Sequence, residues 1–210
     1  MEHKLSQYGL VPVVKIETLD HSDPLASALV EGGLPVAEIT LRTQDALQSI
    51  ATLARRGDIL IGAGTVLNVN QAAASIEAGA QFVVSPGLDS EVVKYCQKKN
   101  IAVYPGVSSA TEIQKAFNLG LRHVKFFPAE ASGGVPALKA LAAPFHEMKF
   151  LPTGGIKPAN ARDYLAMDCT FAIGGSWMVQ PALYADGNFT KVIELTASAI
   201  HLIKSQDDRD

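Results

Sequence analysis

A lysine inside an apolar run is where the chemistry of this chain is most concentrated. Lys125 stands in His123-Val-Lys-Phe-Phe-Pro128. Strand side chains alternate between faces, so Lys125, His123 and Phe127 share one side if this run is a strand. Burial disfavours the charged form of an amine, and the neutral amine is the form that attacks a carbonyl. One reading of Lys125 is therefore a Schiff-base nucleophile. The other is a lysine at a strand rim whose ammonium reaches water or a carboxylate. Glu38, in Val36-Ala-Glu-Ile-Thr-Leu-Arg42, offers the matching group. A buried carboxylate beside an amine moves protons between carbon and oxygen. Glu38, Thr40 and Arg42 share a face at period two, so a simple Glu38–Arg42 ion pair is the competing reading. Arg42 also has the planar fork that grips a substrate carboxylate.

These residues need elements to hold them. Short apolar runs predict eight strands, at Leu10–Ile16, Val36–Leu41, Ile59–Ala63, Gln81–Val84, Ile101–Tyr104, His123–Phe127, Lys149–Leu151 and Thr170–Ile173. Amphipathic segments between them predict helices at Asp23–Glu31, Gln44–Arg56, Asn70–Glu77, Asp89–Lys98, Thr111–Asn118, Val135–Ala142, Pro158–Ala166 and Phe189–Lys204. Ser22 is read as the N-cap of the first, and Thr43 precedes the second. Gly32-Gly33, Gly57, Gly79 and Gly120 are read as helix ends in left-handed conformations. Strict strand–helix alternation implies a parallel sheet, and the count of eight favours a closed single-domain (β/α)8 TIM barrel over an open doubly wound sheet. The domain is expected to span 1–210, with 1–8 as a lead-in and 205–210 as a frayed tail.

In such a barrel, function gathers at the carboxyl ends of the strands. Gly154-Gly155 follows the seventh predicted strand, and Gly174-Gly175-Ser176 follows the eighth. Gly62, Gly64 and Gly106 are likewise assigned to loops at strand ends. Backbone N–H groups exposed by glycines after strands seven and eight form a cradle for phosphate, to which Ser176 adds a hydroxyl. A tight turn with no ligand is the plain alternative.

Other residues carry less. Lys15 is a rival nucleophile, but polar neighbours place it on a solvated rim. The five histidines have no metal-ligand spacing, and His123 reads as a packed or surface side chain. Cys96 and Cys169 lack a CxxC partner and read as structural thiols. Gly62-Ala-Gly64 lacks the third glycine of a dinucleotide fingerprint. Trp177 reads as packing. The Asp207-Asp208 pair is a solvated tail cluster.

Composition sets the outer bounds. The chain has 210 residues, 48% hydrophobic and 19% charged, with two cysteines and a formal net charge of −3. Disorder, a disulfide scaffold and a basic nucleic-acid surface are all excluded as organising features. No apolar run reaches spanning length and no signal peptide is visible, so neither membrane nor nucleic acid is expected as a partner, and the cytoplasm is the expected compartment.

Six motifs occur in order: Glu38-Ile-Thr-Leu-Arg-Thr, Gly62-Ala-Gly-Thr-Val, Ser85-Pro-Gly, Lys125-Phe-Phe-Pro-Ala-Glu, Pro152-Thr-Gly-Gly and Gly174-Gly-Ser-Trp. Together they resemble the 2-keto-3-deoxy-6-phosphogluconate (KDPG) aldolases, which often act also on 4-hydroxy-2-oxoglutarate (KHG). The resemblance covers about Val11 to Trp177. It implies a class I aldolase without metal or cofactor, on a (β/α)8 barrel and in a homotrimer, that releases pyruvate and glyceraldehyde 3-phosphate. It matches Lys125 to the Schiff-base lysine and Glu38 to the general acid/base. Arg42 and Thr65 match groups on the pyruvyl carboxylate, and Pro86 and Phe127 match apolar pocket walls. Gly154, Gly155, Gly174, Gly175 and Ser176 match the phosphate end. Some relatives carry arginine where this chain has Lys15. Readings from other classes are a phosphosugar isomerase or synthase, which needs no imine lysine, and a non-catalytic sugar-phosphate binder. Within the aldolases, an enzyme for the galactonate epimer is the alternative.

Overall fold

The computed structural model describes residues 5–204. The expectations for residues 1–4 and 205–210, including the Asp207-Asp208 cluster, lie outside that range. Strands and helices alternate in the order β1 (Leu10–Val14), α1 (Ser22–Glu31), β2 (Val36–Thr40), α2 (Ala46–Ala54), β3 (Leu60–Gly64), α3 (Val69–Glu77), β4 (Phe82–Ser85) and α4 (Ser90–Lys98). The second half continues with β5 (Ala102–Val107), α5 (Ala110–Asn118), β6 (His123–Phe126), α6 (Gly134–Ala142), β7 (Lys149–Pro152), α7 (Pro158–Leu165), β8 (Ile173–Gly175) and α8 (Thr190–Lys204). The eight strands form one parallel sheet in the order β7-β6-β5-β4-β3-β2-β1-β8. Bridges Phe150↔Thr170 and Thr153↔Gly174 join its two ends. The chain is a (β/α)8 TIM barrel.

Three predicted strands end two or more residues from the observed end. β1 stops at Val14 rather than Ile16. β5 runs on through Pro105-Gly106 to Val107, and β8 starts at Ile173 and ends in Gly174-Gly175. Pro and Gly read as breakers in sequence, yet here the barrel uses them inside its ladder. Gly64, Gly106, Gly174 and Gly175 are thus strand residues, not loop residues, and Gly62 lies in the middle of β3. Glycine inside a strand marks a close approach. A Cβ at Gly62 would overlap the Phe82 ring, and one at Gly106 would overlap the Pro86 carbonyl.

Register sets what faces inward. Val13, Glu38, Gly62, Phe82 and Ala102 pair across five neighbouring strands, and Gly106, Lys125 and Leu151 pair across β5–β7. Paired residues point the same way, so both charged residues face the interior. The alternate positions Val14, Ile39, Val83, Val124, Phe126 and Phe150 are buried against the helical layer.

Three helix starts follow side-chain cap chemistry, and the two starts expected at Ser22 and after Thr43 do not. Asn68, Asp89 and Ser109 accept bonds from the first turns of α3, α4 and α5. Ser22 does not cap α1. It lies within the helix, and its hydroxyl donates to the Ser49 hydroxyl of α2 at 2.9 Å in a buried contact. The second helix begins at Ala46 rather than Gln44, because Asp45 turns its carboxylate to Leu19 N at 3.0 Å and ties down the segment after β1. Gly33, Gly57, Gly79 and Gly120 have the expected positive φ, whereas Gly32 is helical and gives α8 its close approach at Thr196. Asn100, at φ 55°, does the same work after α4 without a glycine.

Asp89 Oδ1 accepts from both Glu91 N (2.8 Å) and Val92 N (3.0 Å). Asp89→Ala is expected to cost about 1 kcal/mol. In urea denaturation the midpoint should fall with the slope unchanged; an unmoved midpoint would show that the cap contributes nothing.

Candidate active site

Lys125 projects from β6 into the barrel and is 5% exposed; Glu38 projects from β2 and is 1% exposed. Lys125 Nζ stands 3.5 Å from Glu38 Oε1. Neither carboxylate oxygen accepts a hydrogen bond from a described residue. A buried carboxylate without donors is unusual, because buried polar groups are nearly always satisfied. Its lone pairs remain available to a ligand. The Phe127 ring lies 5.0 Å from Lys125 Nζ, within cation–π range. Space for the carboxylate comes from β3: a Cβ at Gly64 would overlap Glu38 Oε1 and stand 2.6 Å from its Cγ.

The Glu38–Arg42 ion pair, the competing reading of the sequence, does not form. Glu38 pairs with Lys125. Arg42 lies just past the end of β2, exposed, and its Nε donates to Thr40 Oγ1 at 3.1 Å. Thr40 is buried and in turn donates to Val14 O at 2.7 Å, so the guanidinium is tethered to the barrel wall through one hydroxyl. Its terminal nitrogens bond no described residue. Thr65, directly after β3, has φ 58°. A β-branched residue there is a backbone outlier, and such strain gathers at ligand sites. Pro86 follows β4, where the Ser85 hydroxyl donates to Gly87 O at 2.8 Å and fixes the turn. The Pro86 carbonyl abuts Gly106 of β5, the residue paired with Lys125.

Gly154 and Gly155 follow β7 with φ 99° and 81°. Here glycine's freedom is required, and space is required as well. A Cβ at Gly154 would lie 3.3 Å from the Phe127 ring, and one at Gly155 would lie 2.6 Å from Glu130 Cγ. The pair leads into the N-terminus of α7, where Asn160 Oδ1 accepts from Lys157 N at 2.7 Å and Asn160 Nδ2 donates to Gly155 O at 3.2 Å. Gly174 faces Thr153, whose hydroxyl a Cβ would overlap, and Gly175 lies under the Trp177 ring. Ser176 is exposed at the end of β8. The structure therefore brings Glu38 and Phe127 each up to Lys125, sets Gly154 against Phe127, and places the other expected residues at the carboxyl ends of their strands.

The sequence matches the family of KDPG and KHG aldolases over residues 1–195. It is 45% identical over 200 residues to the KHG/KDPG aldolase of Escherichia coli strain K12, covering 95% of this chain and 94% of that protein. The chain belongs to the KDPG and KHG aldolase family. Among solved structures, the KDPG aldolase of Legionella pneumophila, with pyruvate captured as a covalent carbinolamine, superimposes with a TM-score of 0.91. The two are 39% identical, with 94% of this chain and 96% of that one covered. The KDPG aldolase of Zymomonas mobilis ZM4 with 3-phosphoglycerate gives a TM-score of 0.88 at 39% identity, with 94% of each chain covered.

Against this aldolase barrel the residues set aside from sequence fall into place. Lys15 is on the rim, 2.9 Å from Glu17, both side chains about half exposed. His123 packs edge-on against Phe171 at 5.0 Å. Cys96 is fully buried, and burial pushes its thiol pKa up to about 11. Trp177 packs on the β8 backbone. Among the described residues, no three His, Cys, Asp or Glu side chains converge as metal donors. Sequence reasoning missed Thr153, buried beside Gly174, and the bond from the Tyr164 hydroxyl to Glu130. Glu130 stands within the Lys125 motif, but nothing local points to Tyr164, 34 residues away.

Gly64→Ala tests how the family's barrel makes room for Glu38. The added methyl should displace the carboxylate and lengthen the 3.5 Å separation from Lys125 in a crystal structure of the variant. An unmoved Glu38 would show that β3 yields instead.

Proposed function

We propose that the chain is a class I aldolase. It cleaves 2-dehydro-3-deoxy-6-phosphogluconate to pyruvate and D-glyceraldehyde 3-phosphate, and 4-hydroxy-2-oxoglutarate to pyruvate and glyoxylate. The observation that carries this is the buried Lys125 amine 3.5 Å from a carboxylate that no described donor satisfies, inside a barrel of this family. An isomerase or synthase on the same fold has no use for an imine-forming lysine there.

In this reading Lys125 passes its proton to Glu38, and the neutral amine attacks the substrate's carbonyl carbon. The carbinolamine that forms loses its oxygen as water: Glu38 shifts a proton from the nitrogen to the oxygen and then gives up the one it holds, which leaves a carboxylate beside the iminium. In the resulting iminium, Glu38 takes the proton from the hydroxyl two carbons away. The bond between that hydroxyl-bearing carbon and the carbon next to the iminium breaks, its electron pair moves to the iminium as an enamine, and the aldehyde leaves. Protonation of the enamine carbon and hydrolysis release pyruvate and free Lys125. The iminium is itself the electron sink, so the sequence of steps calls for no cofactor.

Arg42 and Thr65 hold the pyruvyl carboxylate in this assignment, with Pro86 and Phe127 as apolar walls. Gly154, Gly155, Gly174, Gly175 and Ser176 hold the phosphate through backbone N–H groups, the hydroxyl and the positive end of α7. Phosphate bound away from the reacting carbon orients the substrate, and that remote binding energy lowers the barrier. The family resemblance also supports a homotrimer, which sedimentation velocity tests. No helix among the described residues is long and apolar enough to cross a membrane.

Lys125→Ala should abolish cleavage of both substrates while circular dichroism stays that of the parent. Glu38→Gln should lower kcat more than tenfold, on the scale of ~10²–10⁴ for general acid–base catalysis. Retained turnover in the first variant, or an unchanged kcat in the second, removes that residue from the mechanism.

A further inference from the structure

Two polar side chains that the mechanism does not use meet beside the glycine pair after β7. Glu130 stands in the loop that follows Lys125 and Phe127, and Tyr164 comes from α7. The Tyr164 hydroxyl donates to Glu130 Oε1. Tyr164 is fully buried, and burial first, then the Glu130 contact, pushes its phenol pKa up, so it remains a donor at neutral pH. A charge-assisted bond of this kind is among the stronger contacts a side chain makes.

Glu130 is also locked to the glycines. Its N–H donates to Gly154 O at 3.1 Å, and the preceding Ala129 N–H donates to Thr153 O at 2.8 Å. Its stem lies flat on Gly155, where a Cβ would stand 2.6 Å from Glu130 Cγ and 2.7 Å from its Cβ. The residues 127–130 and the Gly154-Gly155 turn are therefore one packed unit. Two side chains of α7 hold it: the buried Tyr164 hydroxyl on Glu130, and the half-buried Asn160 amide on Gly155 O at 3.2 Å. Gly154 and Gly155 have positive φ, so a freed pair has many other conformations to visit.

The geometry points to Tyr164, acting through Glu130, as a positioning residue that holds Gly154-Gly155 for substrates with a terminal phosphate. It thereby sets the preference between phosphorylated and unphosphorylated substrates. This rests on the assignment of Gly154-Gly155 to the phosphate end made above. Tyr164 touches no substrate. Its effect is on the order of the backbone N–H groups, which a substrate without phosphate does not need.

The test compares the full-length protein with Tyr164→Phe and Glu130→Gln. Calorimetry gives the Kd of glycerol 3-phosphate, and steady-state assays give kcat and KM for both substrates. Tyr164→Phe should weaken glycerol 3-phosphate about tenfold and raise KM for the phosphorylated substrate by a similar factor, the scale of one lost bond to a charged group. Its kcat and KM for 4-hydroxy-2-oxoglutarate should stay within about twofold, since uniform damage would move both. Glu130→Gln keeps an acceptor and the stem but not the charge, and should weaken glycerol 3-phosphate clearly less than Tyr164→Phe does. If Tyr164→Phe does not fold, Glu130→Ala removes acceptor and stem and should show the same split. An unchanged Kd for glycerol 3-phosphate, or equal losses on both substrates, overturns the inference. A parent protein that binds no glycerol 3-phosphate overturns both this inference and the phosphate assignment. Weakened glycerol 3-phosphate binding in the variant, with no cleavage of either substrate by the parent, refutes the aldolase reading and supports the positioning role.

Discussion

The barrel is built around two opposite charges taken out of water side by side. Moving an ammonium and a carboxylate into an apolar interior costs more than their attraction returns unless geometry is favourable. Removing either partner leaves the other uncompensated, which is worse. Lys125 and Glu38 sit 3.5 Å apart under this constraint. The surroundings are arranged to tolerate it: Gly64 yields room to the carboxylate, the Phe127 ring lies near the ammonium, and Thr40 keeps Arg42 at the mouth. Arg42 is thereby held off Glu38, whose oxygens accept no bond from a described residue. A scaffold selected for stability alone would fill this layer with Val, Ile and Leu. In the proposed function the pair's place here follows from what an unsatisfied carboxylate beside an amine can do.

The same constraint explains the glycines. Gly62, Gly64 and Gly174 face inward within strands, where each makes room for a neighbour's larger side chain: Phe82, Glu38 and Thr153. Gly154 and Gly155 serve differently, with backbone conformations that other residues rarely adopt. Two physical uses of one residue type, volume and φ, thus occupy the same end of the barrel. The first makes room inside the barrel, and the second shapes the turn assigned above to the substrate's phosphate.

How much of this was legible in sequence depended on the range of the signal. Period-two alternation in His123-Val-Lys-Phe-Phe and Val36-Ala-Glu-Ile-Thr was enough to turn Lys125 and Glu38 inward, and eight alternating units were enough for the barrel. The ends of β5 and β8 were not legible, because Pro105-Gly106 and Gly174-Gly175 break isolated strands but are tolerated where neighbouring strands supply the ladder. Ser22 read as a cap since nothing local could reveal its partner Ser49 on the next helix. Tyr164 and Glu130 are likewise joined only by the closure of the barrel. Contacts set by local spacing were readable; those set by the packing of distant helices were not.

The central claim is that the buried Lys125 amine is the group that captures pyruvate. Borohydride reduction of the protein in the presence of pyruvate, followed by peptide mass mapping, tests it directly. One reduced pyruvyl group on the peptide that carries Lys125, and none on the peptide that carries Lys15, is the predicted result. Labelling of Lys15 or another lysine with Lys125 unmodified would contradict the account.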